Sequence, residues 1–146
     1  YDLKQDGLKI YTTIDARLQS YAESAINEVM PLVQDRFNQD WKGKDPVPSD
    51  LLAKAIQNSA RYQSLLKQGL DETAAMKAMQ QPVPMRLFAW NNPDDYPNIS
   101  PIDSIRQLLT TLHAGMVVAD PHTGAIRAWV GGIDYGYFQY DHVKSS

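Results

Sequence analysis

The sequence predicts an α+β fold. Three observations carry this: apolar and polar residues alternate over 8–14, a long helical rhythm follows, and two short β-rich runs, 115–119 and 125–130, are joined by a turn. The expected architecture is a small antiparallel sheet, made of the N-terminal strand plus the C-terminal hairpin. A long helix covers it, and a mainly helical insertion interrupts it. A lone two-stranded hairpin is marginal in water, so 8–14 is expected in one sheet with 115–130.

Each element has a local cause. Leu8, Ile10, Thr12 and Ile14 fall on one side of the first strand, Lys9, Tyr11 and Thr13 on the other. Asp15 is a natural N-cap, because its carboxylate can accept from the N–H groups of the next turn. The helix is predicted to run to about Trp41. Leu18, Tyr21, Ala22, Ala25, Ile26, Val29, Val33 and Phe37 keep the spacing of one buried stripe. Pro31 removes a bond to the carbonyl four residues back and is expected to kink or divide the helix. Residues 42–48, KGKDPVP, form a break.

Ser49 or Asp50 is expected to cap a second helix with Leu52, Ala55, Ile56, Tyr62, Leu65 and Leu66 on its apolar face. Its rhythm loosens at Ser59, and Gly69 is the expected stop. Asp71 caps a short helix, Glu72–Met79, on which Met76 and Met79 are expected to be core rather than a binding stripe. Residues 85–90 alternate as a strand, at an edge because of the neighbouring prolines. Residues 91–100 are a loop. A helix entered at Pro101 is predicted over 102–113.

In the hairpin, Pro121 fixes φ in the turn Asp120-Pro121-His122-Thr123-Gly124, and Gly124 can take φ > 0. Ile126, Ala128 and Val130 share one face, with Arg127 and Trp129 on the other. At Gly131-Gly132 the expectation is a backbone closed to residues with a Cβ, or a close approach of another segment.

The segment 112–146 resembles the opening hairpin of the transpeptidase domain in class A penicillin-binding proteins. The matching residues are Asp120, Thr123, Gly124, Arg127, Ala128, Val130, Gly131 and Gly132, followed by the aromatic loop Tyr135-Gly136-Tyr137-Phe138-Gln139-Tyr140. Residues 7–15, GLKIYTTID, with Leu18-Gln19, are similar to the family's first strand and helix. Residues 100–106, SPIDSIR, resemble the segment before the hairpin in Bacteroidetes-type members. The resemblance implies three regions. Residues 1–41 are the first strand and long helix of the transpeptidase domain. Residues 42–98 are a helical insertion with one edge strand. Residues 99–146 are a helix, the hairpin and an aromatic loop leading toward a nucleophile helix.

The resemblance further implies a periplasmic parent anchored in the inner membrane. That parent polymerises lipid-linked disaccharide and cross-links stem peptides through a serine ester. Its partners are the rest of the transpeptidase domain, peptidoglycan stem peptides and cell-wall or division proteins. The family's nucleophile lies in a Ser-x-x-Lys motif after the aromatic loop, and this chain stops at Lys144-Ser145-Ser146. Ser64-Leu65-Leu66-Lys67 fits the bare pattern but lies in a polar helical stretch, where so loose a pattern arises by chance. No catalytic, cofactor or metal residue is therefore assigned, no cofactor is expected, and the chain is expected to be inactive alone.

Composition agrees with a folded domain: 43% of residues are apolar and 21% charged, which argues against general disorder. Fourteen basic and 17 acidic residues give −3, without a basic cluster, so nucleic acid is not an expected partner. No apolar run reaches the roughly 18 residues of a membrane helix, and no membrane contact is expected. The chain opens at Tyr1 without an apolar leader, as a piece of a longer protein would. With no cysteine there are no disulfides. His113, His122 and His142 lack ligand spacing. Asp94-Asp95 offers too few oxygens for a hard cation and reads as a solvated turn. Asp120, His122 and Thr123 read as turn hydrogen bonding rather than a catalytic cluster. Tyr135, Tyr137, Phe138 and Tyr140 either stack on a sugar or pack beneath the nucleophile helix. The 42–98 insertion is either a packed elaboration or a docking face, which would make the chain an interaction module.

Overall fold

The computed structural model describes Gly7, residues 9–90 and residues 96–144. In chain order the elements are α1 (Ala16–Asp40), α2 (Ser49–Asn58), α3 (Ala60–Lys67), α4 (Glu72–Met79), β1 (Val83–Pro84), β2 (Asn98–Ile99), α5 (Pro101–Thr110), β3 (Met116–Ala119) and β4 (Ile126–Val130). The α+β class is as predicted: the described residues form five helices and two antiparallel strand pairs. Two compact units result. One comprises Tyr1–Met30 with His113–Ser146, the other Pro31–Leu112.

In the first unit β3 and β4 pair from Met116↔Val130 to Ala119↔Ile126, with a register shift between Val118 and Ala119. The predicted turn closes the hairpin: Asp120 N–H donates to the Ala125 carbonyl at 2.9 Å, and Gly124 has φ +70°. Leu8 lies outside the described residues, and residues 9–15 carry no strand. They still meet β4. Asp15 N–H donates to the Arg127 carbonyl at 2.8 Å, and the Thr13 hydroxyl donates to the Ile126 carbonyl at 2.6 Å. A ladder does not develop because Asp15 starts a helix one residue later. The next backbone groups of β4 are then taken by a side chain, Gln19.

Asp15 caps α1 as predicted, accepting from Arg17 N–H at 2.9 Å. The buried line of α1 is Ala22, Ile26 and Met30. Leu18, Tyr21, Val29 and Val33, expected in the stripe, are exposed. Ala22, Ile26 and Met30 follow an i, i+4, i+8 line, narrower than the stripe expected. The helix also runs through Pro31 undivided, since one lost hydrogen bond is a local defect in 25 residues.

The second unit has its own core. Ile56, Tyr62, Ala75 and Met79 are buried together, with Leu52, Leu65, Leu66, Leu70, Met76, Ile102 and Ile105 packed around them. Met76 and Met79 are core, as expected. The predicted second helix is two helices. Ser59 takes an extended conformation (φ −67°, ψ 139°), and its hydroxyl oxygen accepts from Tyr62 N–H to start α3. Neither Ser49 nor Asp50 caps α2. Pro48 stands at the N-cap without a side-chain bond, because its φ of −55° already suits the helix start.

At the end of α3, Gly69 N–H donates to the Leu66 carbonyl and Leu70 N–H to the Leu65 carbonyl. This is a Schellman closure that needs the positive φ (+92°) Gly69 supplies. Asp71 caps α4 through Ala74 N–H, as predicted.

The strand predicted at 85–90 does not form. Val83↔Ile99 and Pro84↔Asn98 pair instead, and Met85 N–H donates to the Pro97 carbonyl at 3.2 Å. Pro84 and Pro97 have no N–H to return, so the ladder stops after two residues. The predicted 102–113 helix is Pro101–Thr110. Ser100 and Asp103 bond reciprocally at its start: Asp103 N–H donates to Ser100 Oγ at 3.1 Å, and the Ser100 hydroxyl donates to Asp103 Oδ2 at 2.6 Å. It ends early because the Thr110 and Thr111 hydroxyls take the Arg106 and Gln107 carbonyls, after which Thr111 is extended.

Candidate functional site

The first unit carries a cleft of about 500 Å³ where the chain leaves the hairpin, lined by Gln19, Ile26, Trp129, Ile133, Tyr135 and Tyr140 among others. Its wall is built by two polar side chains. Gln19 reads the outer edge of β4 as a neighbouring strand would. Its Oε1 accepts from Trp129 N–H at 2.8 Å, and its Nε2 donates to the Trp129 carbonyl at 3.0 Å. Both backbone groups of an edge residue are thereby satisfied inside a half-buried wall.

Asp141 is the second. Its Oδ2 accepts from Trp129 Nε1 at 3.0 Å, and its Oδ1 accepts from Val143 N–H at 3.0 Å and Lys144 N–H at 3.3 Å. The returning chain is held by His142 N–H, which donates to the Gly131 carbonyl at 2.6 Å. A Cβ on Gly131 would stand 2.8 Å from Asp141 Oδ1 and 2.9 Å from its Cγ. The glycine corner is therefore a close approach, one of the two alternatives expected. Neither Gly131 nor Gly132 has a positive φ.

His113 leads into β3. Its ring stacks on His142 at 4.6 Å and meets Phe138 edge-on at 4.6 Å. Its Nδ1 is buried and has no hydrogen-bond partner among the described residues. Burial first, then the charge of His142 beside it, holds this imidazole below its ordinary 6.5.

Among the described residues of this unit, three carboxylates lie below their ordinary range. For Asp15 the leading cause is the Arg17 N–H bond, followed by that of Leu18. For Asp120 it is the His122 N–H bond, followed by the Thr123 side chain. For Asp141 burial pushes the carboxyl up, but the bonds from Val143, Trp129 and Lys144 together outweigh it. A carboxylate depressed in the folded state stabilises the fold above its unfolded pKa and loses that contribution as pH falls through the folded one. The unit is therefore expected to keep its stability down to about pH 4 and to lose it progressively below. Thermal unfolding between about pH 6 and pH 2 checks this, and Asp141→Asn should flatten the acid limb. A midpoint independent of pH across that range would contradict it.

The residues singled out in the sequence separate clearly. Asp120, His122 and Thr123 make the turn bonds expected of them: Asp120 Oδ1 accepts from His122 and Thr123 N–H. Ser64 lies on the exposed face of α3, its hydroxyl oxygen accepting from Gln68 Nε2 at 3.1 Å. Among the described residues no hydrogen bond joins it to Lys67. Asp94-Asp95 lies outside the described residues. Tyr135 and Tyr140 are exposed at the cleft, while Phe138 is half-buried against His113. Among the described residues no three His, Asp or Glu side chains gather as a metal site would require, and no helix is long and apolar enough to cross a membrane.

Gln19 and Asp141 were not singled out for these roles. Gln19 did leave a signal, a polar residue in register with Ala22, Ile26 and Met30 on the buried line of α1. Asp141 left none, since its partners are fixed only when the chain folds back on Gly131.

Residues 36–112 match the family described as the penicillin-binding protein middle domain. The match covers more than half of the 146 residues, and the chain belongs to the penicillin-binding proteins, which act in cell-wall synthesis. Searches of curated proteins and of solved structures each returned no match.

Proposed function

We propose that this chain is the non-catalytic junction of a class A, Bacteroidetes-type peptidoglycan synthase. That parent is a glycosyltransferase and serine DD-transpeptidase anchored in the inner membrane, and the chain works on its periplasmic side. The carrying observation is the order of parts: the middle-domain match at 36–112 lies between a helix capped by Asp15 and the hairpin with its Gly131–Asp141 corner. The role is to position the catalytic half of the parent against its polymerase half. The partners are the rest of the transpeptidase domain and, through it, peptidoglycan stem peptides.

Acyl transfer needs a serine activated by a neighbouring base and an oxyanion hole. Ser64 stands on an exposed helix face with its hydroxyl oxygen bonded to the Gln68 carboxamide, and among the described residues no base bonds to it. The chain incubated with a fluorescent penicillin is expected to stay unlabelled on a denaturing gel, while the full-length parent labels at a serine outside these residues. A stoichiometric label on the chain that disappears in Ser64→Ala would overturn the proposal.

A second reading is an interaction module that recruits cell-wall or division proteins. The separate core of the Pro31–Leu112 unit favours it. Pull-down with the chain separates the two, since a junction retains only its own parent protein, whereas an interaction module retains a second cell-wall or division protein.

A further inference from the structure

Resting on the cell-wall reading above, we propose that the Pro31–Leu112 unit binds an uncharged strand of N-acetylated amino sugars in a groove between α1 and α5. Phe37, Asn38 and Trp41 are spaced to share one face of the helical path of α1, and Arg106, Gln107 and Thr110 share one face of α5. Two hollows of about 310 Å³ and about 350 Å³ adjoin there, with Asn38, Gln107 and Thr110 common to both. Each has an aromatic pair in its wall. Phe37 and Trp41 stand 6.3 Å apart in one, and Phe88 and Trp90 meet edge-on at 5.0 Å in the other.

The chemistry of the walls selects the ligand. A pyranose ring presents a face of C–H groups, which stacks on the electron-rich face of an indole. Its hydroxyl and acetamido groups need fixed donors and acceptors beside that stack. Two carboxamides stand between the aromatic pairs, and each is oriented by a bond at one end. Asn38 Oδ1 accepts from Gln34 Nε2 at 3.1 Å, and Gln107 Nε2 donates to the Phe88 carbonyl at 3.1 Å. Asn38 Nδ2 remains as a donor and Gln107 Oε1 as an acceptor.

Charge decides between sugar and the alternatives. Arg106 is already neutralised, through Asp45 at 3.0 Å and Asp103 at 2.7 Å. Lys44 and Asp35 add one charge of each sign to the lining. An acidic stem peptide or a nucleic acid would need a net positive surface, which this groove lacks.

The three tryptophans report separately, since Trp41 and Trp90 line the groove and Trp129 belongs to the other unit. The test is a titration of the ¹⁵N-labelled chain with the neutral tetrasaccharide of N-acetylglucosamine, following the indole N–H resonances. Those of Trp41 and Trp90 are expected to shift saturably while that of Trp129 stays. Trp41→Ala and Trp90→Ala should each weaken binding about tenfold. Asn38→Asp, which exchanges a donor for an acceptor with little change of shape, should weaken it without lowering the thermal midpoint. Three outcomes would overturn the proposal: no saturable shift at Trp41 and Trp90, affinity unchanged in every variant, or the same shifts produced by a free acidic stem peptide and not by the sugar. Penicillin labelling is indifferent to sugar binding, so failure here and failure of the junction reading are told apart.

Discussion

Replacing Met79 with alanine is expected to destabilise the Pro31–Leu112 unit by about 2–5 kcal/mol, the range for truncating a large buried side chain. Met79 is fully buried, at 0% exposure, and sits with Ile56, Tyr62 and Ala75 at the centre of the core. Truncation removes the thioether arm and leaves a hole between helices whose ends are separately pinned, by Ser59, by the Gly69 closure and by Asp71. Those pins limit how far the helices can collapse into the space. A domain of this size is stable by only about 5–10 kcal/mol, so the loss is a large fraction of the whole. Met79→Leu conserves volume and should cost less than about 1.5 kcal/mol. Urea unfolding followed by Trp41 and Trp90 fluorescence measures both. Equal midpoints for the alanine and leucine variants would show that the core lies elsewhere.

Gly131→Val should cost about 1–3 kcal/mol through overpacking. Backbone strain plays no part, because Gly131 has no positive φ. The cost comes from Asp141, whose Oδ1 would stand 2.8 Å from the new Cβ. A free carboxylate would swing aside. This one is held by Trp129 Nε1 and by the N–H groups of Val143 and Lys144. Moving it breaks those bonds and loosens the returning strand. A Cβ on Gly132 would meet the Tyr140 carbonyl at 3.4 Å and His142 Cδ2 at 3.7 Å, both ordinary contacts, so Gly132→Val should cost less. A thermal-unfolding cycle of Gly131→Val, Asp141→Ala and the double variant checks the mechanism. Shortening residue 141 should relieve most of the clash, so the two changes are expected to be non-additive. Additive effects, or a midpoint unmoved by Gly131→Val, would remove Asp141 as the cause.

What the sequence determined by itself is local. The caps at Asp15 and Asp71, the stop at Gly69 and the Asp120–Gly124 turn are written in a few adjacent residues, because a side-chain oxygen or a glycine needs only the next turn of chain to act. The α+β class follows from the same short-range periodicities. The resemblance in 112–146 pointed to the penicillin-binding proteins, and the family match then fell on a different stretch, 36–112.

Tertiary structure decided whatever depended on a distant partner. The stripe of α1 narrowed to Ala22, Ile26 and Met30 because periodicity shows which residues share a face, not how wide a surface will cover it. The alternation at 85–90 looked like a strand, yet a strand needs a partner with N–H groups to give, and Pro84 and Pro97 withhold theirs. Gln19 and Trp129 meet across 110 residues, and Asp141 finds Gly131 only when the chain returns. The groove between α1 and α5 joins Asn38 to Gln107 in the same way. Such contacts depend on where the whole chain closes, and no window of neighbouring residues contains that.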